Sequence, residues 1–265
     1  MKFAVIGKDV SKSISPQIHL FIAGKLNKSV EYDKISVPEE EFERTIDGLI
    51  KAYDGLNITI PYKLSVMTHL KTITGDAAAF GAVNTVKCKD LSGNNTDGLG
   101  FMLMLKNNGI KIKGKKFLVI GAGGAGRSVA KKLSDGGAEV YIYDKNIKNA
   151  KTVENEFKGV KALENLELTP YYAAINASGV GMHKTEGLSP AGAELLKNCE
   201  AAIDLIYVPI ESEFLRIANS LGKKTVNGLA MLFYQAYYAQ CIWFGLKPDE
   251  EQAKDFFTEF TMERI

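Results

Sequence analysis

The sequence contains little of what marks several common classes of protein. Its 265 residues include only three cysteines, Cys88, Cys199 and Cys241, which lie far apart and match neither a CxxC motif nor the spacing of metal ligands. The formal net charge of +2 is too small to indicate binding to nucleic acid or to an anionic membrane. We therefore expect buried free thiols in a reducing compartment, and no metal site.

Long apolar runs, internal repeats and low-complexity linkers are also missing. The apolar run that ends before Lys8 is too short for the core of a signal peptide. The stretch 228–246 is interrupted by Gln235 and Gln240, which argues against a membrane span. With 46% hydrophobic and 24% charged residues, the composition is typical of a globular protein, and we expect it in the cytoplasm.

Short apolar segments alternate with amphipathic ones through most of the chain. In the first part, β-branched residues and flanking Gly and Pro predict strands, and the longer segments between them predict helices. The strands are expected at residues 3–7, 30–37 and 56–60, and the helices at 15–26 and 39–52. Ser15 is a candidate N-cap of the first helix, with Pro16 in its first turn. The alternation predicts a mostly parallel sheet.

A second α/β unit begins near Gly114, and the charged stretch at 106–116 separates it from the first. Its strands are expected at 116–120, 138–143, 172–177, 201–207 and 224–227, its helix at 127–135, and a long helix follows at 229–244. We therefore predict two α/β domains. The first spans residues 1–105 and is completed by C-terminal helices at 233–265, and the second spans 106–232.

A glycine-rich turn lies between the first strand and the first helix of the second domain. Its sequence, Gly121-Ala122-Gly123-Gly124-Ala125-Gly126, fits GxGxxG. The first glycine permits a tight turn, the second lets a pyrophosphate approach the backbone, and the third lets helix and strand pack closely. The strand–turn–helix context predicts a Rossmann domain that binds NAD or NADP.

The residues after the next strand bear on the choice between these cofactors. Asp144 follows the turn at the spacing expected for an acid that accepts from the ribose hydroxyls of NAD and repels the 2′-phosphate of NADP. Lys145 comes directly after it and could meet that phosphate. The two neighbours point in opposite directions, so both cofactors stay open.

Four polar clusters interrupt the first domain. They are Ser13-Ile14-Ser15-Pro16, Asn57-Ile58-Thr59-Ile60-Pro61-Tyr62-Lys63, Gly81-Ala82-Val83-Asn84-Thr85 and Asn95-Thr96-Asp97-Gly98. Each alone fits a cap, a turn or a surface ion pair. Together, in this order and spacing, they resemble the shikimate dehydrogenase family. Segments 176–178, 204–209 and 227–232, with Gln235, extend the resemblance over essentially the whole chain.

The resemblance implies an N-terminal substrate domain, a Rossmann cofactor domain and the reversible NAD(P)H-dependent reduction of 3-dehydroshikimate to shikimate, a step toward chorismate and the aromatic amino acids. Lys63 and Asp97 would be catalytic. The implied substrate contacts are Ser13, Ser15, Thr59, Lys63, Asn84, Asp97, Tyr207 and Gln235. The implied cofactor contacts are Gly121, Ala122, Gly123, Gly124, Ala125, Asp144, Lys145, Asn146, Leu205, Gly228 and Met231. The protein would be a monomer or a homodimer.

Lys63 is the expected proton carrier, because its ammonium can protonate a carbonyl oxygen and stabilise developing negative charge. Asp97 could orient Lys63, bind a hydroxyl or share the proton transfer, and the sequence does not decide among these roles. The three histidines, His19, His69 and His183, lack partners at metal spacing and are expected to be structural or exposed.

The chain departs from the family after the second Rossmann strand. The family has Asn-Arg-Thr where this sequence has Asp144-Lys145-Asn146, and lysine lacks the planar two-pronged grip of arginine on phosphate. An NAD-dependent quinate/shikimate dehydrogenase is therefore an alternative. A non-catalytic Rossmann metabolite sensor is a remote one. A lysine-dependent folate or amino-acid dehydrogenase would share the architecture but not SxSP or GAVNT.

Overall fold

The computed structural model describes residues 1–263 and divides into two compact units. The first comprises Met1–Leu103 and the chain from Leu232 onward, and the second comprises Met104–Met231. The sequence placed the corresponding cuts after residues 105 and 232. Each unit is α/β, as predicted. Over the described range, no helix is long and apolar enough to cross a bilayer.

The elements of the structure alternate along most of the chain. The strands are β1 (Lys2–Gly7), β2 (Glu31–Ser36), β3 (Gly55–Ile58), β4 (Thr72–Ile73), β5 (Thr85–Lys87), β6 (Ser92–Asn94), β7 (Lys116–Ile120), β8 (Glu139–Tyr143), β9 (Val160–Leu163), β10 (Tyr171–Asn176), β11 (Cys199–Asp204) and β12 (Lys224–Val226). The helices are α1 (Ser15–Lys25), α2 (Phe42–Ala52), α3 (Asp76–Phe80), α4 (Asp97–Asn107), α5 (Gly124–Asp135), α6 (Ile147–Glu156), α7 (Ala193–Leu196), α8 (Glu213–Ser220), α9 (Leu229–Phe244) and α10 (Glu250–Met262).

The sheet of the first unit is mixed. Its strand order is β2-β1-β3-β5-β6-β4, and β1 pairs in parallel with both β2 and β3, as predicted. By contrast, β5 pairs antiparallel with both β3 and β6. The segment 88–91 that joins β5 to β6 is too short for the crossover that a parallel pair needs. Because β4 pairs in parallel with β6, β5 is the one strand of these six that runs against the others, and the prediction of a mostly parallel sheet is confirmed.

Helices cover both faces of this sheet. Along β1, alternate side chains point to opposite faces: Ala4 and Ile6 belong to the core cluster that includes α2, whereas Phe3 packs with α9. The Phe3 and Trp243 rings stack with centroids 4.4 Å apart, and the Trp243 indole donates to the Val86 carbonyl at 2.9 Å. A Cβ at Gly55 would collide with this indole. The C-terminal helix α9 is therefore part of the first unit's core.

The sheet of the second unit is parallel throughout, with order β12-β11-β10-β7-β8-β9. This is the doubly wound order of dinucleotide-binding domains. Successive strands are added on one side of β7 up to β9 and then, from β10, on its other side, so the strand order reverses between β7 and β10. Ligands bind such sheets at the carboxyl ends of the strands beside this switch point. The glycine-rich turn follows β7, and the segment beginning at Ala177 follows β10.

One local expectation was wrong, and another was right in its bounds but not in its helix type throughout. The side chain of Ser15 does not cap α1: the N-cap is Ile14, without a side-chain cap bond, and Ser15 is already helical. The helix expected at 39–52 begins as a 3-10 turn at Glu39–Glu41, and α2 follows from Phe42.

The three cysteines are free and buried, as predicted. Burial raises the pKa of the Cys88 thiol to about 12 and those of Cys199 and Cys241 to about 11, so these thiols stay protonated.

His19 in α1 is a core residue. It is 1% exposed, and its ring stacks on Tyr32 with centroids 4.4 Å apart. The Gln240 amide donates to the His19 carbonyl at 2.7 Å and lies 3.3 Å from Nδ1. Nε2 has no hydrogen-bond partner at standard distance. The nearby Asn57 side chain raises the pKa of the ring, but by less than burial lowers it. Burial lowers the pKa of His19 to about 3.

This lowered pKa makes stability depend on pH. Below the ordinary pKa of 6.5, His19 of the unfolded chain binds a proton, whereas His19 of the folded chain stays neutral down to about pH 3. The free energy of unfolding therefore decreases as the pH is lowered, by up to about 1.4 kcal/mol per pH unit. Urea titrations between pH 7 and pH 5 should record this slope. His19→Phe, which keeps an aromatic ring, should flatten it, whereas the exposed His183→Asn should not. An unchanged slope in His19→Phe would contradict the assignment.

Candidate active site

The predicted catalytic pair lies in the first unit. Lys63 follows β3, and Asp97 is the first residue of α4. The Lys63 ammonium donates to Asp97 Oδ2 at 2.5 Å. Their side chains are 22% and 15% exposed, so the pair is largely withdrawn from water but still reachable by a small molecule. The fold thus brings together two residues that are 34 positions apart.

Asn84 holds the other oxygen of Asp97. Its amide Nδ2 donates to Asp97 Oδ1 at 2.7 Å, and the Asp97 backbone N–H donates to Asn95 Oδ1 at 3.0 Å. Asn84 is 3% exposed, and its Oδ1 accepts from the Thr96 backbone N–H at 2.8 Å. Both ends of its amide are therefore engaged by the protein, and its contact with a substrate stays a prediction.

Gln235 reaches this cluster from α9. Its Oε1 accepts from Thr96 Oγ1 at 3.4 Å, and its Nε2 donates to the Leu232 carbonyl at 2.9 Å. Gln235 is 8% exposed. A residue predicted from the far end of the sequence therefore lies next to the residue that precedes Asp97.

Ser13 and Ser15 form a second polar group at the start of α1. Ser13 Oγ accepts from the Ser15 backbone N–H at 3.2 Å and donates to Ser15 Oγ at 3.0 Å. Neither hydroxyl caps the helix, and both lie at its positive end, where hydroxyl groups can donate to an anion. Thr59 lies just beyond β3, where its backbone N–H donates to the Ile6 carbonyl. Gly7 leaves room for it, since a Cβ there would strike the Thr59 methyl group.

The glycine-rich turn of the second unit has the geometry its sequence predicts. Gly121 has φ +107°, a conformation that favours glycine. A Cβ at Gly126 would collide with the Gly121 carbonyl, whereas Cβ atoms at Gly123 and Gly124 would meet nothing within 4 Å. The outer side of the turn is therefore open at the N-terminus of α5, where uncapped N–H groups can bind phosphate.

Asp144 is built into this turn. Its Oδ2 accepts from the Ala122 backbone N–H at 2.8 Å, and its Oδ1 accepts from the Asn146 backbone N–H at 2.9 Å. Asn146 in turn caps α6 by accepting from the Lys148 N–H. Lys145 is exposed. The carboxylate thus joins the turn after β7 to the turn after β8, a structural role that the sequence argument did not include.

A buried polar cluster follows β10 and β11. Asn176 and Asp204 are both 0% exposed, and Asn176 Nδ2 donates to Asp204 at 3.0 Å. Asp204 also accepts from the Ser212 hydroxyl and the Ile206 backbone N–H. Burial raises the pKa of Asp204, while these donors act in the opposite direction. The cluster fixes the loop after β11, which carries the predicted contacts Leu205 and Tyr207.

The predicted apolar cofactor contacts lie in and near this loop. The Gly228 N–H donates to the Ile206 carbonyl at 2.9 Å, and a Cβ at Gly228 would collide with the Leu205 carbonyl. Leu205 and Gly228 are therefore adjacent, and Met231, 9% exposed, lies one turn into α9. Tyr207 follows in the Leu205 loop, and burial raises its pKa.

Sequence reasoning missed several residues of these clusters. Thr85 and Thr96 lie inside motifs that were recognised, but neither was given a role. Asp204 also lay in a recognised segment, and its acidic side chain in an apolar strand was a usable signal. Tyr32 gave no signal, because it reads as an ordinary residue of β2.

Comparisons with known proteins identify the family. The family model for the shikimate dehydrogenase substrate binding domain matches residues 5–86, and that for shikimate / quinate 5-dehydrogenase matches residues 103–187. A shikimate dehydrogenase (NADP(+)) of Carboxydothermus hydrogenoformans is 40% identical over 257 residues, covering 92% of this chain and 91% of that protein.

Solved structures resemble the whole chain. Shikimate 5-dehydrogenase of Thermus thermophilus, in complex with NADP(H) and shikimate, has a TM-score of 0.86 at 36% identity and covers 97% of this chain and 98% of its own. The enzyme of Listeria monocytogenes, in complex with shikimate and NAD, has a TM-score of 0.84 at 28% identity, with coverage of 97% and 96%. On its motifs, its two folds and these likenesses, the chain belongs to the shikimate dehydrogenase family.

Proposed function

We propose that this protein catalyses the reversible reduction of 3-dehydroshikimate to shikimate, with NADP as its cofactor. The observation that carries the proposal is the largely buried Lys63–Asp97 pair, whose carboxylate is bound on both oxygens. The relatives supply the substrate, since they are named shikimate dehydrogenases (NADP(+)).

Lys63 is the proton carrier of the proposed reaction. In the direction of reduction, its ammonium donates a proton to the ketone oxygen as negative charge develops there. In oxidation the amine takes the proton back. Asp97 orients the lysine, since its carboxylate accepts from Lys63 on one oxygen and is fixed by Asn84 on the other. An ordered pair removes the conformational search that a free lysine side chain would require.

The remaining polar residues suit a small hydroxylated acid. The Ser13 and Ser15 hydroxyls, at the positive end of α1, would bind the carboxylate. The family resemblance assigns the ring hydroxyls to Thr59, Asn84, Asp97 and Gln235, and implies that Tyr207 approaches the substrate from the cofactor domain. Because buried polar groups are costly when unpaired, such a site rejects analogues that lack a hydroxyl.

The second unit fits a dinucleotide. The open side of Gly123 and Gly124 leaves room for a pyrophosphate at the α5 N-terminus, and Leu205, Gly228 and Met231 would contact the nicotinamide end. When bound, the cofactor supplies the hydride chemistry.

Two neighbouring residues bear on NADP against NAD. Asp144 was the argument for NAD, but its carboxylate accepts from two backbone N–H groups of adjacent turns, which gives it a structural reason to be acidic. Lys145 is exposed beside it and would meet the 2′-phosphate. The NAD-dependent quinate/shikimate alternative is therefore not favoured, and a metabolite sensor would not need the Lys63–Asp97 pair. Monomer or homodimer, and a cytoplasmic location, stay predictions.

A four-way rate assay tests the reaction. Shikimate and quinate are each offered with NADP and with NAD, and reduced cofactor is followed by absorbance. We expect shikimate with NADP to give the highest kcat/KM. Turnover with no combination would refute the proposed function, and a preference for quinate with NAD would establish the alternative.

Loss of the proton carrier tests the mechanism. Lys63→Ala should lower kcat by about 100-fold or more, the usual scale for a general acid–base group, while NADP affinity in a fluorescence titration stays near wild type. The matched control is Lys87→Ala, which removes another ion-paired lysine of the first unit, bonded to Asp90. A Lys63→Ala enzyme with near-normal kcat would exclude Lys63 from this role.

Cofactor choice is tested at Lys145. Lys145→Ala should raise the KM for NADP by roughly 10-fold, because a charged contact with phosphate is worth more than a neutral hydrogen bond, and should leave the KM for NAD within about twofold. Lys151→Ala is the control, since Lys151 lies on α6 and pairs with Glu154. Equal changes in both KM values would mean that Lys145 does not read the 2′-phosphate.

A further inference from the structure

A continuous hydrogen-bond chain runs from β2 to the Asp97 carboxylate. The Tyr32 hydroxyl donates to Asn57 Oδ1 at 2.7 Å, and Asn57 Nδ2 donates to Thr85 Oγ1 at 3.3 Å. Thr85 Oγ1 donates to Asn84 Oδ1 at 2.8 Å, and Asn84 Nδ2 donates to Asp97 Oδ1 at 2.7 Å. We call these five residues the donor chain. It links a tyrosine far from the chemistry to the residue that orients Lys63.

Backbone groups fix the direction of the donor chain. Asn57 Nδ2 also donates to the Asn84 carbonyl at 3.2 Å, and a carbonyl can only accept, so Asn57 Oδ1 must face Tyr32. Asn84 Oδ1 accepts from the Thr96 N–H at 2.8 Å, which can only donate, so Asn84 Nδ2 must face Asp97. The Thr85 hydroxyl accepts from Asn57, and its single proton goes to Asn84 Oδ1 at 2.8 Å, which is closer than Thr96 Oγ1 at 3.3 Å. Every donor therefore points toward the carboxylate.

The four residues of the donor chain that precede Asp97 are buried. Thr85 is 0%, Asn84 3%, Asn57 7% and Tyr32 8% exposed. Away from water, consecutive hydrogen bonds polarise one another and cost more to leave unmade. Burial raises the pKa of Tyr32 well above its ordinary value, so its hydroxyl keeps the proton that begins the chain. The His19 ring stacks on Tyr32 and restricts its orientation.

We propose that Tyr32 and Thr85 are positioning residues for catalysis, which hold Asp97, and through it Lys63, in the reactive arrangement. The proposal rests on the proposed function above. Neither residue faces the substrate in this account. Each acts through Asn84. The Thr96 N–H sets which way the Asn84 amide points, and the bond from Thr85 holds that amide more firmly against Asp97.

Two substitutions remove single hydroxyls from the donor chain with little change of shape. Tyr32→Phe keeps the ring that stacks on His19, and Thr85→Val is close to isosteric. We expect each to lower kcat for shikimate oxidation roughly 5- to 10-fold, with the KM values for shikimate and NADP within about twofold. Thr85→Ser keeps the hydroxyl and should retain near wild-type kcat.

The control and a binding measurement separate positioning from damage to the fold. Tyr53→Phe removes a different tyrosine hydroxyl of the first unit, which donates to the Asp33 carboxylate at 2.8 Å. This variant should leave kcat unchanged. Calorimetric titration with shikimate should give the same number of sites per chain in every variant. A fall in kcat that only follows a loss of sites is structural and overturns the proposal.

The outcomes are distinguishable from failure of the proposed function. If the wild-type enzyme does not oxidise shikimate, the function itself fails. If the wild-type enzyme is active and Tyr32→Phe keeps full kcat, the donor chain has no positioning role. If Thr85→Ser is as slow as Thr85→Val, the hydroxyl is not the responsible group. Should Thr85→Val prove unstable, Tyr32→Phe decides the question alone.

Discussion

The arrangement at the candidate active site depends on the Asp97 carboxylate, which must be satisfied on both oxygens. Lys63 occupies one and Asn84 the other. A largely buried carboxylate with a single partner would be costly, so the chain supplies a fixed amide as well as a lysine. That requirement explains why Asn84, Thr85 and Thr96 are polar although 3% exposed or less, and it ties β3, β5, α4 and α9 to one small volume.

The second unit meets the same constraint in the same way. Asp144 and Asp204 each stand at the carboxyl end of a strand or directly after it, and each accepts from a backbone N–H of the following loop. Asp144 also accepts from the Ala122 N–H in the turn after β7. These carboxylates hold in place loops that have no hydrogen-bond ladder of a helix or strand to order them. At the switch point of a doubly wound sheet, ordered loops are what a dinucleotide requires, so acidic residues there need not be read as contacts with the ribose.

Agreement between sequence and structure is best where a pattern depends on neighbours along the chain. The glycine-rich turn was predicted with its three roles, because its geometry is set by local backbone sterics and by one strand–helix contact. The parallel pairing of β1 with β2 and β3 was predicted because strands and helices alternate along this part of the chain. The antiparallel β5–β6 pair was missed, since its strands are three residues each and too short for a periodic signal. The Ser15 cap was wrong because α1 begins one residue earlier than a Ser15 cap requires, with Ile14 at the N-cap, and Ser15 Oγ accepts from the Ser13 hydroxyl.

The sequence by itself determined the two α/β units, the family, and the identity of Lys63 and Asp97 as a pair, because ordered motifs and strand–helix alternation are properties of the chain. Only the tertiary structure decided what stands behind them. Which way the Asn84 amide points, why Tyr32 connects to Asp97, and what Asp144 binds are set by groups distant in sequence that share a water-poor interior. There each buried donor needs an acceptor, and the fold alone determines which one it meets.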